Sequence, residues 1–318
     1  MIAHKHCALG VYPEHYQIVH DNFMGAVAEV LGDAVTPEIG QAWSDVVVHV
    51  AKACIQLETE IYAETTAKLD NWDSKVTKPF VVAKIVDEAD DAKSFYLKPE
   101  DGTAPPIYQP GQYLTLCLKT DEAVTAPRHY TVSAAEPIDG CVRISVKHAA
   151  AADNSGVEGV VSSWLHTHIK EGDLLDVRAP FGPYTRAKNT WNQEVYLTAG
   201  SGVTPAMAML PSAVKACTKV GHFHVDRAAS RHALRAETEA LNLALTKFVY
   251  DDEHPRLTVE QVLEDMKAAD FDMAGTGTGF HITGPAGFVK AMVTGLKGQL
   301  GVDAGCIRHE VYGPAIDV

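Results

Sequence analysis

Glu194-Val195-Tyr196-Leu197-Thr198-Ala199-Gly200-Ser201-Gly202-Val203-Thr204-Pro205 decides how the second half of this chain folds. An apolar β-type run, then paired glycines, then a proline suited to a first helical turn reads as a buried strand, a tight turn and a helix from Pro205 to about Lys219. From Asn192 onward strand and helix patterns alternate, with Gly221-His222-Phe223-His224-Val225 and Phe280-His281-Ile282-Thr283 as further strands. Residues 190–318 are therefore expected to form an α/β nucleotide-binding domain with a parallel sheet. Glycines just after a buried strand let a pyrophosphate approach the backbone, and the helix end faces it. The GxGxxG fingerprint is absent, and a simple strand-to-helix turn would use the same glycines.

Upstream the period changes. Phe80-Val81-Val82-Ala83-Lys84-Ile85-Val86, Tyr113-Leu114-Thr115-Leu116-Cys117-Leu118 and Val142-Arg143-Ile144-Ser145-Val146-Lys147 are short β-type runs between turn residues, which predicts an antiparallel β-barrel over residues 76–187. The run from Ala149 to Glu158 reads as a flexible loop inside it. Residues 1–73 read as about three helices. Phe23, Val27, Val30 and Leu31, and again Trp43, Val46, Val47 and Val50, follow helical spacing; Pro13 and Pro37 suit first turns, with Thr36 as a cap. The expected whole is a multidomain α and α/β protein.

Lys and Arg total 27 against 41 Asp and Glu in 318 residues, for a formal charge of −14. That balance argues against nucleic-acid backbones and anionic membranes as partners. Cys7, Cys54, Cys117, Cys141, Cys217 and Cys306 are scattered without a CxxC pair, several inside apolar segments, as suits a reducing cytoplasm. No apolar run is long enough to span a bilayer.

A flavin needs an aromatic face, a cation for its pyrophosphate and backbone N–H donors. Arg128-His129-Tyr130-Thr131-Val132-Ser133 supplies the first two, with Tyr130 on the strand face shared by Val132 and opposite Ser133. Gly159-Val160-Val161-Ser162-Ser163-Trp164-Leu165 reads as a glycine turn opening a helix, whose first amides are free for phosphate. Singly, Arg128 and Tyr130 read as an ordinary strand pair and Gly159 as a loop glycine. Arg227 and Arg231, after the Gly221 to Val225 strand, are either a solvated loop face or a site for a 2′-phosphate.

Taken in order, Gly111-Gln112-Tyr113, Arg128 to Ser133, Gly159 to Ser162, Ala199 to Pro205 and Gly284-Pro285 resemble the flavin reductases of the ferredoxin-NADP reductase superfamily. Ahead of them, Lys5-His6, Pro13-Glu14-His15-Tyr16 and Glu58-Thr59-Glu60-Ile61-Tyr62 resemble the proximal haem side of flavohaemoglobins, whose reductase module follows a globin. The resemblance implies that Arg128 contacts the FAD phosphates, that Tyr130 and Thr131 hold the flavin with Tyr113, His129 and Ser133 beside them, and that Gly159, Val161 and Ser162 anchor the second phosphate. It implies NAD(P)H at Gly200, Ser201, Gly202, Val203, Thr204 and Pro205 and at Thr283, Gly284 and Pro285, where the family usually has cysteine at the position of Thr283. Glu310-Val311-Tyr312-Gly313-Pro314 is similar to the closing motif, with Glu310 and Gly313 at the cofactor and Tyr312 in place of the usual phenylalanine over the flavin ring. His6 is implied as the haem iron ligand, with Tyr16 and Glu58 as its catalytic phenol and carboxylate.

The activity this implies is nitric oxide dioxygenation: NAD(P)H reduces FAD, FAD passes single electrons to haem, and nitric oxide and oxygen become nitrate. The resemblance spans the whole chain but only the later part of the globin, so the expectation is either a fragment of a longer flavohaemoglobin or a chain that has lost haem function. Two other readings stay open. One is an FAD-dependent NAD(P)H diaphorase that reduces small acceptors or a separate haem protein. The other is a helical interaction module on an inert reductase fold.

Overall fold

A computed structural model describes residues 2–118, 127–149, 159–186, 191–272 and 277–313. Most of the expected Ala149 to Glu158 loop, and Pro314, lie outside the described residues. Three helices come first: α1 (Ile2–Leu9), α2 (His15–Leu31) and α3 (Pro37–Thr66). Thr36 caps α3 by accepting a hydrogen bond from the Ile39 amide at 3.4 Å, with Pro37 in the first turn where its missing N–H costs nothing. Pro13 instead precedes α2 in the connecting turn, so it ends the link from α1 and does not open the helix.

The periodic stripes of α2 and α3 do not form a core. Val30 is 80 % exposed and Trp43 42 %, and α2 buries no residue fully. The two helices touch through Phe23 and Trp43, with ring centroids 5.9 Å apart, and among the described residues no third layer covers the rest. Docking falls to α1 and the far end of α3. Tyr62 donates to the carbonyls of Cys7 and Val11 and sets its ring edge-on to Phe181 at 5.8 Å, so Cys7, Ala8 and Tyr62 join one core with Phe80, Phe95 and Leu116.

Six antiparallel strands follow: β1 (Lys78–Ala89), β2 (Ala92–Pro99), β3 (Tyr113–Cys117), β4 (Arg128–Thr131), β5 (Val142–Lys147) and β6 (Leu174–Phe181), ordered β4-β3-β6-β1-β2-β5. A bridge between Val132 and Ile144 joins the two outer strands and closes the barrel, which removes its open edges. The short helix α4 (Val160–Thr167) enters from Gly159, as its sequence predicts.

The last part is a parallel sheet, β11-β10-β7-β8-β9, built from β7 (Gln193–Ala199), β8 (Lys219–Asp226), β9 (Leu245–Tyr250), β10 (Thr278–Pro285) and β11 (Ile307–Tyr312), with α5 (Val203–Ala216), α6 (Arg235–Ala240), α7 (Val259–Ala268) and α8 (Ala286–Leu300) between them. Gly200 to Gly202 form a 3-10 turn, so α5 starts two residues before Pro205, and it ends at Ala216 because Lys219 already opens β8. Strand order reverses between β7 and β10, the point where open α/β sheets bind ligands.

β8 carries His222 and His224 fully into this domain, and His232 packs its ring on His224 at 3.9 Å. Burial, helped by the neighbouring imidazoles, pushes His222 down to about 3 and His232 down to about 2. Their folded values lie below the unfolded 6.5. Stability is therefore complete above that pH and is lost as pH falls through it, because only the unfolded chain then takes up the protons. We expect the urea midpoint to drop between pH 6.5 and pH 4, each imidazole removing up to about 1.4 kcal/mol per pH unit. A midpoint that stays level over that range would show that these histidines are not held neutral.

Candidate functional site

The barrel face beside β3 and β4 meets the carboxyl ends of the parallel strands. In register, Tyr113 lies opposite Thr131 and Thr115 opposite His129. The His129 ring rests on Tyr113 at 4.5 Å and its Nδ1 shares a hydrogen bond of 2.8 Å with Thr115. Burial, with the charges of Lys5 and Arg128, pushes His129 down to about 4. Gly111 is required at the start of β3: its φ is +101°, and a Cβ there would collide with the Tyr184 carbonyl. Tyr130 is half-buried beside this face, and Arg128 is exposed at its rim.

β11 runs out of the parallel sheet and lays Tyr312 against the barrel. The Tyr312 and Thr131 hydroxyls hydrogen-bond at 2.8 Å, so the last strand reaches the fourth. Two residues earlier, Glu310 is half-buried, its Oε2 enclosed without a hydrogen-bond partner among the described residues, and desolvation raises its carboxyl to about 7 against the pull of Lys5. Lys5, from α1, thus acts on both His129 and Glu310. Sequence reasoning quoted Lys5 without giving it a role and overlooked Tyr184, which is buried in the field of Glu310 and Tyr312. Its position next to His6 was the available signal for Lys5.

Ser133 does not belong to this face. It lies past the end of β4, wholly buried, with its hydroxyl bonded to Ser145 at 2.8 Å and receiving Arg143 Nε at 3.1 Å. Gly159 opens α4, whose first amides, those of Val160, Val161 and Ser162, have no helical acceptor. The Ser162 hydroxyl is already engaged, accepting from the Ala149 amide and donating to the Gly159 carbonyl. With that hydroxyl engaged, the backbone amides are what the described residues of this turn offer an anion.

Across the cleft, the two nucleotide turns touch. A Cβ on Gly202 would collide with the Thr283 carbonyl, and the Thr283 hydroxyl donates to the Gly202 carbonyl at 2.6 Å. Gly284 adopts φ +151° against Ala199, and Pro285 leads into α8. Gly200, Ser201, Val203 and Thr204 line a narrow recess with Lys147 of the barrel, while Pro205 lies buried in the first turn of α5. Gly313 follows Tyr312 with φ +121°.

In the helical part, Glu58 is buried and collects two donors. His6 Nδ1 stands 2.7 Å and the Tyr16 hydroxyl 2.5 Å from its Oε1, and Tyr16 also lies 3.0 Å from His6 Nδ1. These residues are far apart in sequence but form one group. His6 Nε2 has no hydrogen bond among the described residues. An imidazole with Nδ1 on a carboxylate and Nε2 open is the form in which histidine binds iron.

The family described as Globin matches residues 1–54, and that described as Oxidoreductase FAD-binding domain matches residues 79–185. The Flavohemoprotein of Bacillus subtilis is 34 % identical over 100 % of this chain and 79 % of its own length; that of Rhodopirellula baltica is 36 % identical over 99 % and 79 %. This chain belongs to the flavohaemoprotein family. It is an oxidoreductase of FAD-binding and globin parts, and nitric oxide dioxygenation is the family's known role. Among solved structures, a flavohaemoglobin from Malassezia yamatoensis with bound FAD and haem superimposes with a TM-score of 0.80 at 26 % identity, over 98 % of this chain and 78 % of the other. The FAD/NAD binding domain of nitric oxide dioxygenase from Vibrio cholerae matches with a TM-score of 0.66 at 29 % identity, over 75 % of this chain and all of that one. Among the described residues no helix is long and apolar enough to cross a membrane.

Proposed function

We propose that this flavohaemoprotein holds FAD between the barrel and the β11 tail, accepts hydride from NAD(P)H at the Gly202 and Thr283 turns, and delivers electrons to haem on His6. When bound, FAD divides the hydride into single electrons and haem iron uses them with oxygen to convert nitric oxide to nitrate. The observation that carries this reading is convergence. Tyr312 of the parallel sheet bonds Thr131 of the barrel, and Lys5, next to His6, bears on both His129 and Glu310.

Each residue's part follows from its chemistry. Arg128 neutralises phosphate at the rim, and the amides of Val161 and Ser162 behind Gly159 take the second phosphate. Tyr130, Thr131, Tyr113, His129 and Tyr312 enclose the ring and exclude water from it. Glu310, poised at about 7, can hold or release a proton beside that ring. Ser133 is given no part, since its hydroxyl serves Arg143. Glu58 and Tyr16 fix the His6 ring and raise its basicity toward iron, and haem fits His6 because Nε2 is left open. We divide the chain at 1–73, 76–187 and 190–318, and take it to be cytoplasmic, a reading supported by its six free cysteines.

A second reading, an FAD-dependent diaphorase reducing small acceptors or a separate haem protein, is favoured by the apolar residues of α2 and α3 that stand exposed. Both readings require FAD. Arg128→Ala should weaken FAD retention by roughly 10- to 100-fold, the value of one charge-assisted hydrogen bond of about 1.5–3 kcal/mol. Isothermal titration of apoprotein with FAD measures it: equal affinity in parent and variant removes Arg128 from the phosphate, and a parent that takes up no FAD removes the reading itself.

A further inference from the structure

The helix that carries His6 ends in a closed cap. The Gly10 amide donates to the Cys7 carbonyl at 3.1 Å and the Val11 amide to the His6 carbonyl at 2.9 Å, with Gly10 at φ +76°, the paired bonding of a left-handed helix stop. His6 therefore stands in the turn that this cap fixes. The next two residues tie the cap down, the Val11 carbonyl accepting Tyr62 at 3.2 Å and the Tyr12 hydroxyl donating to the Lys75 carbonyl. Tyr16 follows in the first turn of α2.

The barrel meets this cap through Arg178 of β6. Its guanidinium lies on Gly10 so closely that a Cβ there would come within 2.5 Å of NH2 and 2.6 Å of Cζ. Glycine is thus required twice at position 10, for its φ and for the guanidinium against it. Arg178 NH1 also donates to the Lys75 carbonyl at 3.2 Å, the same acceptor that Tyr12 uses. Burial works against the charge of Arg178, but hydrogen bonding with Tyr12 helps to outweigh it and raises the guanidinium above its ordinary value. A cation at this end of α1 also faces the carbonyl end of the helix, where positive charge is favoured.

The same strand borders the flavin face. Arg178 stands opposite Thr115, whose hydroxyl is bonded to His129, and three residues before Phe181, which stands opposite Tyr113. One side chain thus joins the turn below His6 to the sheet that carries Tyr113 and His129.

We infer that Arg178 is a positioning residue, which docks α1 on the barrel and so sets the spacing between His6 and the flavin face for the passage of electrons to haem. The inference rests on the haem reading above. It leaves hydride transfer untouched, because the Gly202 and Thr283 turns belong to the parallel sheet.

Two measurements on the FAD-loaded full chain test this. In stopped flow with haem bound, Arg178→Met should leave flavin reduction by NADH within about twofold of the parent and slow the haem reduction that follows by roughly 10- to 100-fold, the loss expected from about 1 Å of misplacement. In hydrogen exchange without haem, the last amides of α1 in that variant should exchange roughly tenfold faster, while β3 and β6 keep the parent's protection. Gly10→Ala presses on the same contact from the helix side, should do both, and covers the case in which Arg178→Met folds poorly. Haem reduction at the parent's rate in the folded variants overturns the inference. Slowed haem reduction with α1 protected as in the parent overturns it too, since Arg178 would then act by something other than docking. A parent that takes up no haem overturns the haem reading, and the inference with it.

Discussion

Arg186→Leu should lower the unfolding free energy by about 3–5 kcal/mol, the loss expected when one partner of a buried ion pair is removed and the other stays buried. Glu194, the second residue of β7, is fully buried. Arg186 meets it with Nε at 2.9 Å and NH2 at 2.8 Å, and the Tyr196 hydroxyl donates to it at 2.7 Å. Burial alone would favour the neutral acid; His281, Arg186 and Tyr196 outweigh it and hold the carboxyl at about 2. With Arg186 gone, His281 is the remaining cation candidate, but burial holds it down and its ring is stacked on Tyr196 at 4.6 Å. Arg186→Leu combined with Glu194→Leu should recover most of the loss, because an apolar pair of similar volume needs no charge partner. Equilibrium urea unfolding of both variants decides it. A single-variant loss below about 1 kcal/mol would mean that Glu194 protonates without consequence.

His6→Ala should abolish the Soret band of haem-loaded protein, and Glu58→Gln should keep the band while cutting nitric oxide consumption roughly 10- to 100-fold. The two differ because His6 would offer its open Nε2 to iron, whereas Glu58 acts on that ring through Nδ1. The glutamine keeps the size and one acceptor but loses the charge that makes the imidazole more basic. A Soret band of parental intensity in His6→Ala would place the axial ligand elsewhere, with His4 and His15 the nearest histidines in sequence. Unchanged turnover in Glu58→Gln would leave Glu58 as a structural carboxylate only.

Where the physics is local, the sequence was a sufficient guide. Thr36 with Pro37, Gly159 before α4, and the strand runs of the barrel each carry their own reason to form, and each appears where its pattern puts it. The His6, Tyr16 and Glu58 group was legible only by resemblance, since nothing in the spacing itself brings Glu58 back to His6. Contacts between distant segments were not legible. Asp226 meets Lys147 across 79 positions and Thr131 meets Tyr312 across 181, and no periodicity encodes such pairs. The role for Ser133 came from resemblance alone; strand alternation already set it on the face opposite Tyr130, and the partners of its hydroxyl, Ser145 and Arg143, were not legible in the motif. The stripes on α2 and α3 were a true guide to helices but not to burial: an apolar face states what a helix can bury, and burial also requires something packed on it.

The most direct measurement of the account is an anaerobic titration of the purified, FAD-loaded protein with NADH, followed in the visible spectrum. The account predicts that one equivalent of NADH bleaches the flavin bands, and that with haem bound at His6 the Soret band then shifts as electrons reach the iron. Flavin bands that remain unbleached with excess NADH would contradict it.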